Sequence, residues 1–223
     1  MAKHPNTPSK TALPQDDLGE GPRKRNKANT PDFSQADTLV TFLIGPENED
    51  VKPKTFIVHK EIVCYHSPVL NAAFNSGFVE GQTQTYKLDD VSEGVFKLLV
   101  QWLYSQKLTV QDLDQKKDFT AIYWQDRNLA ALYVLADRLA MPSLQNLVLE
   151  KIEHLSDKSS TIPTHSFYYV YNNTSKDSPL RKFFVAMSGK YANEAFYDPV
   201  DDVQYYPHQF LLDLNGGTGY KQL

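Results

Sequence analysis

The chain contains one cysteine, Cys64, among 223 residues. A disulfide framework within the chain is therefore excluded, and a reducing compartment is expected. The six histidines form no H-E-x-x-H pattern. With only one thiol, a structural zinc set is also missing, so no metal or other cofactor is expected. No apolar run approaches the roughly 20 residues of a membrane span. The opening MAKHPNTPSKTALPQ lacks an apolar core of signal-peptide length. These absences predict an intracellular protein, cytoplasmic or nuclear, that does not engage a membrane. An excess of positive charge is missing as well. The formal net charge is −4, which argues against a general affinity for nucleic acid. Gly216-Gly217-Thr218-Gly219 is glycine-rich, but no Lys-Ser/Thr follows and no helical pattern begins, so it is no phosphate cradle.

Hydrophobic residues make up 41% of the chain and charged residues 22%, enough for a packed core. Residues 1–31 stand apart. They hold almost no large apolar side chains and read as a disordered tail. Six basic residues (Lys3, Lys10, Arg23, Lys24, Arg25, Lys27) against three acidic ones leave this tail near +3 and the remainder near −7. Arg23-Lys24-Arg25-Asn26-Lys27 has the composition of a nuclear import signal, but a solvated basic cluster of this kind is the commoner case in such tails. Asp37 to Ile44 reads as a strand ended by Gly45-Pro46, and Thr55 to Val58 as its antiparallel partner. Ile62 and Val63 lie on the apolar side of a short helix. Ser67-Pro68 starts another, because serine accepts a backbone N–H at the N-cap and proline suits the first helical position. Thr85 to Leu88 reads as a third strand. Ser92 caps a helix with Val95, Leu98, Leu99, Trp102 and Leu103 on one stripe. Residues 109–125 read as an irregular surface insertion with one hydrophobic turn, Ile122-Tyr123-Trp124. A helical hairpin comes next, broken at Pro142. Beyond it, Ser166 to Tyr171 reads as an aromatic helical turn. Leu180, Phe183, Phe184 and Met187 form an amphipathic stripe after Ser178-Pro179, and Pro207 to Leu214 is a last helical candidate ended by Gly216-Gly217. Such short pieces need a surface to bury against, expected to be the hairpin at 128–153.

Asp37, then Phe56-x-Val58-His59-Lys60, then Ser67-Pro68-x-Leu70 and Phe74, and finally Leu135-Ala136-Asp137-Arg138-Leu139-x-Met141, come in an order that resembles the BTB/POZ domain. Ser105-Gln106 departs from the Tyr-Thr-Gly-like turn usual at that point. The resemblance implies an α+β fold, a small mixed sheet with a cluster of helices, followed here by a helical C-terminal extension. The implied division is a tail at 1–31, a BTB/POZ domain at 32–154 and the extension at 155–223. A core followed by a short helix and an SPLR-like restart is similar to the BTB proteins of filamentous fungi.

The resemblance implies a non-enzymatic protein-interaction module whose partners are a second copy of itself or another BTB chain. Asp37 and Lys60 correspond to an acid and a base near the dimer surface of such domains. Val40 and Phe42 lie on a first strand apolar on both faces. Tyr123, Trp124 and Tyr104 are candidate contact residues, because aromatics dominate binding hot spots; of these, Tyr104 reads more readily as core. No small-molecule substrate is expected. A cullin scaffold is a second class of partner, but Asn128-Leu129-Ala130 lacks the hydrophobic-x-acidic signature of cullin adaptors. A cysteine-dependent hydrolase is a distant alternative. Cys64 and His66 point apart on one short helix, and a buried, inert thiol is the better reading. From the tail's composition, deletion of residues 1–31 should leave the melting temperature of the remainder unchanged in a thermal scan. A truncation that unfolded the protein would overturn that reading.

Overall fold

The computed structural model describes residues 1, 31, 37–48, 50–111, 113, 118–159, 161–191 and 206–217. The Arg23–Lys27 cluster and nearly all of the 1–31 tail lie outside them, as do residues 112 and 114–117 with their charges at Asp112, Asp114, Lys116 and Lys117. Three strands form one sheet: β1 (Leu39–Ile44), β2 (Lys54–His59) and β3 (Thr85–Leu88), in the order β2-β1-β3. β1 runs antiparallel to β2, with Thr41 opposite Ile57, and parallel to β3, with Phe42 opposite Tyr86. Side chains alternate across a strand, so Val40, Phe42, Ile44, Val58 and Leu88 all turn inward and are buried. Phe42 is the hub of this face. Its ring meets Phe74 edge-on at 5.7 Å and lies 5.0 Å from Phe96. Asp37 sits in the exposed turn before β1, which is two residues shorter than expected.

α1 (Lys60–His66) follows β2 directly and buries Ile62 and Val63. Ser67 then ends α1 and caps α2 (Pro68–Phe74), its hydroxyl accepting the Leu70 N–H at 3.0 Å. A short α3 (Val79–Thr83), not anticipated from the sequence, precedes β3. Its glycine is a packing requirement, since a Cβ on Gly81 would lie 1.9 Å from the Ser76 carbonyl oxygen. α4 (Glu93–Ser105) is capped by Ser92 and buries Val95, Phe96, Leu99, Trp102 and Leu103, with Leu98 only half-buried. It closes at Gln106, which takes a left-handed φ of 56°. Glycine would meet that conformation without strain; here the Gln106 amide donates to the Trp102 carbonyl at 2.9 Å.

α5 spans Phe119–Arg138 and α6 Pro142–Ser159. Ala140 at φ 52° reverses the chain between them, with the Met141 N–H donating to the Ala136 carbonyl at 2.8 Å. α5 therefore begins well inside the stretch expected to be irregular. The cause is tertiary. The Gln125 side chain accepts from the Gln111 N–H at 2.7 Å and donates to the Gln111 carbonyl at 3.1 Å, while Tyr123 stacks on His165. Such contacts support two turns that propensity alone would not.

After a 3-10 turn (Thr164–Ser166) come α7 (Phe167–Asn173), α8 (Pro179–Tyr191) and α9 (His208–Gly217). Leu180, Phe184 and Met187 are buried as the stripe predicts, and Phe183 is half-buried. These side chains pack largely on their own neighbours rather than only on the α5–α6 hairpin. Phe167 lies 5.1 Å from Phe184 and 4.5 Å from Phe210, which stacks on Tyr206. Arg181, 8% exposed, donates to the Tyr171 and Thr174 carbonyls at the C-terminus of α7. α9 runs on through Gly216, beyond the expected stop. Among the described residues, no helix is long and apolar enough to cross a membrane. Phe74, 1% exposed between Phe42 and Tyr86, makes the clearest test of the core. Its change to alanine should cost about 3–5 kcal/mol in chemical denaturation, and a loss under about 1 kcal/mol would contradict this packing.

Candidate protein interface

The inward turn of Val40 and Phe42 sends their neighbours outward. By register, Leu39, Thr41 and Leu43 of β1 share the outer face with Thr55, Ile57 and His59 of β2 and with Thr85 and Lys87 of β3. Ile57 is 64% exposed and Leu39 48%. Both are apolar, and both belong to a face that lies away from the buried core.

β2 is also an open edge. The Lys60 N–H donates to the Thr38 carbonyl at 2.9 Å, which sets the parity of the ladder. Val58 and Phe56 then bond to β1, and the backbone groups of Thr55, Ile57 and His59 face away from it. Tyr104, at the end of α4, closes one end of this edge. Its hydroxyl accepts the His59 backbone N–H at 3.2 Å and meets His59 Nδ1 at 2.7 Å. Tyr104 is 48% exposed, so it is a half-open edge residue and not the core residue expected.

The six residues singled out from the sequence divide among three places. Val40 and Phe42 are 1% and 0% exposed; their apolar character is spent on the chain's own core, and neither presents a side chain to a partner in this conformation. Asp37 is exposed. Lys60 makes no ion pair with Asp37 among the described residues. Its ammonium donates to the Phe74 carbonyl at 3.1 Å, at the C-terminus of α2, where a cation meets the negative end of the helix dipole. Tyr123 and Trp124 belong to α5, on a different surface. Tyr123 is half-buried against His165 at 4.6 Å between ring centroids, and Trp124 is 57% exposed. Trp124 borders a groove with Val91, Val95, Arg127 and Tyr169. The Arg127 guanidinium lies 3.7 Å over the Tyr169 ring. Leu39 and Ile57, exposed on the outer face, were not singled out from the sequence. The period-2 alternation of LVTFLI was the available signal, because it places Leu39 opposite in facing to Val40.

Cys64 is half-buried, 3.9 Å from the Asn75 amide. Burial pushes its thiol above the ordinary range against the opposing charge of Lys60. A thiol held protonated is a poor nucleophile.

A small mixed sheet backed on one side by helices, with Leu39 and Ile57 exposed on its outer face and, among the described residues, an open edge at β2, has the build of a module that binds other proteins. The BTB/POZ domain model matches residues 40–156, more than half of the chain, and the protein belongs to the BTB/POZ family. Its general role is accordingly that of a protein–protein interaction module. No curated protein matches the chain. Because the Tyr104 hydroxyl serves two groups of His59, Tyr104→Phe should destabilise the fold by about 0.5–1.5 kcal/mol, read as a lower denaturation midpoint. An unchanged midpoint would mean that water replaces both contacts without loss.

Proposed function

We propose that the chain acts by pairing with a second BTB chain, its own copy or a different one, through the outer face and open edge formed by β1 and β2. The observation that carries this reading is the exposure of two apolar side chains, Ile57 and Leu39, at 64% and 48%, on the sheet face turned away from the core. An exposed edge with such residues is an aggregation hazard unless a partner covers it. The candidate set from the sequence shifts accordingly. Leu39, Ile57 and Tyr104 supply the contact, Asp37 and Lys60 flank it, and Val40 and Phe42 hold the strand in place from beneath. Tyr123 and Trp124 offer a separate contact surface on α5. The interacting domain corresponds to residues 32–154 and the helical extension to 155–223.

The cullin-adaptor reading draws no support from the stretch it depends on, since Leu129 and Ala130 are both 0% exposed and are not free to meet a scaffold. A specific pairing would bury about 1,200–2,000 Å² in total. Light scattering at tens of micromolar should give the mass of a dimer for the wild type, or of a monomer that captures another BTB chain. Ile57→Asp should abolish either association. The substituted side chain is at the surface, so the melting temperature should move little. Lys60→Glu is the less selective test, because it also removes the contact to α2. A wild-type monomer that captures no BTB chain would sink the proposal; a dimer indifferent to Ile57→Asp would move the interface elsewhere.

A further inference from the structure

His165 lies in the turn that leads from α6 into α7, and Asp126 lies on α5 beneath it. One ring N–H of His165 donates to the Tyr123 backbone carbonyl. The other nitrogen, Nε2, is buried with no hydrogen-bond partner and faces Asp126 Oδ2 at 3.6 Å. A neutral imidazole that donates through Nδ1 presents a lone pair at Nε2. A carboxylate presents only lone pairs. Two acceptors therefore confront each other in a site where both side chains are mostly buried, at 24% and 15% exposure. A proton between them removes the conflict. We propose that Asp126 and His165 share one proton, and that this proton fastens the 164–166 turn and α7 to α5, so that the C-terminal helices loosen from the core when it is lost.

The surroundings favour a neutral pair, with the proton on Asp126. Burial pushes the Asp126 carboxyl up to about 7. Burial also pushes His165 below its ordinary value; the Tyr123 carbonyl opposes this and the Arg127 charge adds to it. Arg127 projects from α5 onto Tyr169 of α7, and Lys158 of α6 lines the cavity of about 240 Å³ beside Asp126, together with Gln125 and Ser156. Tyr123, whose ring lies 4.6 Å from that of His165, and Tyr169 beneath Arg127 are the nearby phenols.

The two shifts have opposite signs. The Asp126 contribution is complete below its ordinary value of 3.8 and is lost as pH rises through about 7. The His165 contribution is complete above 6.5 and is lost on acidification. The attachment therefore weakens as pH rises through about 7, where the Asp126 proton is lost.

Hydrogen exchange at residues 164–173 of the full chain, corrected for the intrinsic pH dependence of exchange, tests this between pH 5.5 and 8. Wild-type opening should rise as pH passes through about 7. In Asp126→Asn an amide N–H can point at Nε2 without any titrating proton, so only His165 remains and opening should fall with rising pH. Nitrogen-15 shifts of the wild-type His165 ring give a reading independent of any variant: at pH 7 they should show a neutral ring protonated at Nδ1. Identical exchange profiles for wild type and variant, or an imidazolium at pH 7, would overturn the proposal.

Discussion

The hydroxyl of Ser67 joins two halves of the domain. It is 0% exposed, accepts the Leu70 N–H at the start of α2, and donates to the Leu139 carbonyl at 2.7 Å, 72 residues further along the chain. Both functions of one small group are used, with no water needed. Leu139 directly precedes Ala140, the left-handed residue that reverses α5 into α6. The cap of one helix is thereby tied to the end of another. An apolar residue here would leave a buried carbonyl and a buried N–H unsatisfied together, a cost that neither packing nor propensity would offset. Phe74, which the cap positions, then meets Phe42, and through it the sheet.

The exposed face is a consequence of that anchoring. The helices collect on the side of the sheet to which Phe42 and Val58 point, since that is where the large apolar side chains are. The other side carries threonines, one histidine and one lysine, which tolerate water, and Leu39, Leu43 and Ile57, which do not benefit from it. Tyr104 narrows the open edge without covering it. This uneven distribution of polarity has one physical origin: among the described residues, the helices bury the sheet on one side only.

Where neighbours in sequence are also neighbours in space, the order was legible. The strand triplet, Ser67-Pro68, the stripe on α4 and the break at Pro142 all stand where residue pattern places them. The rest depended on partners distant in sequence. Phe119 to Trp124 is helical because Gln111 and His165 hold it. Lys60 reads as a surface charge until the end of α2 arrives beside it. Val40 and Phe42 were legible as apolar, yet composition around a strand does not tell which side is already occupied. The period-2 facing puts Leu39 on the side opposite Val40, but with apolar residues on both sides it does not say which side the helices cover. Gln106 is the converse case, a residue in glycine's conformation whose own side chain supplies the compensating bond.

α6 begins at Pro142 and continues to Ser159, so it passes without interruption through residue 154, where the resemblance ends the core. Its 18 residues make a rod of about 27 Å. The BTB/POZ core and the C-terminal extension consequently share one helix, with no linker at their boundary. The direction in which the chain leaves the core is inherited from the α5–α6 hairpin itself, and the aromatic cluster of α7 to α9 starts from a stiff stem in place of a tether.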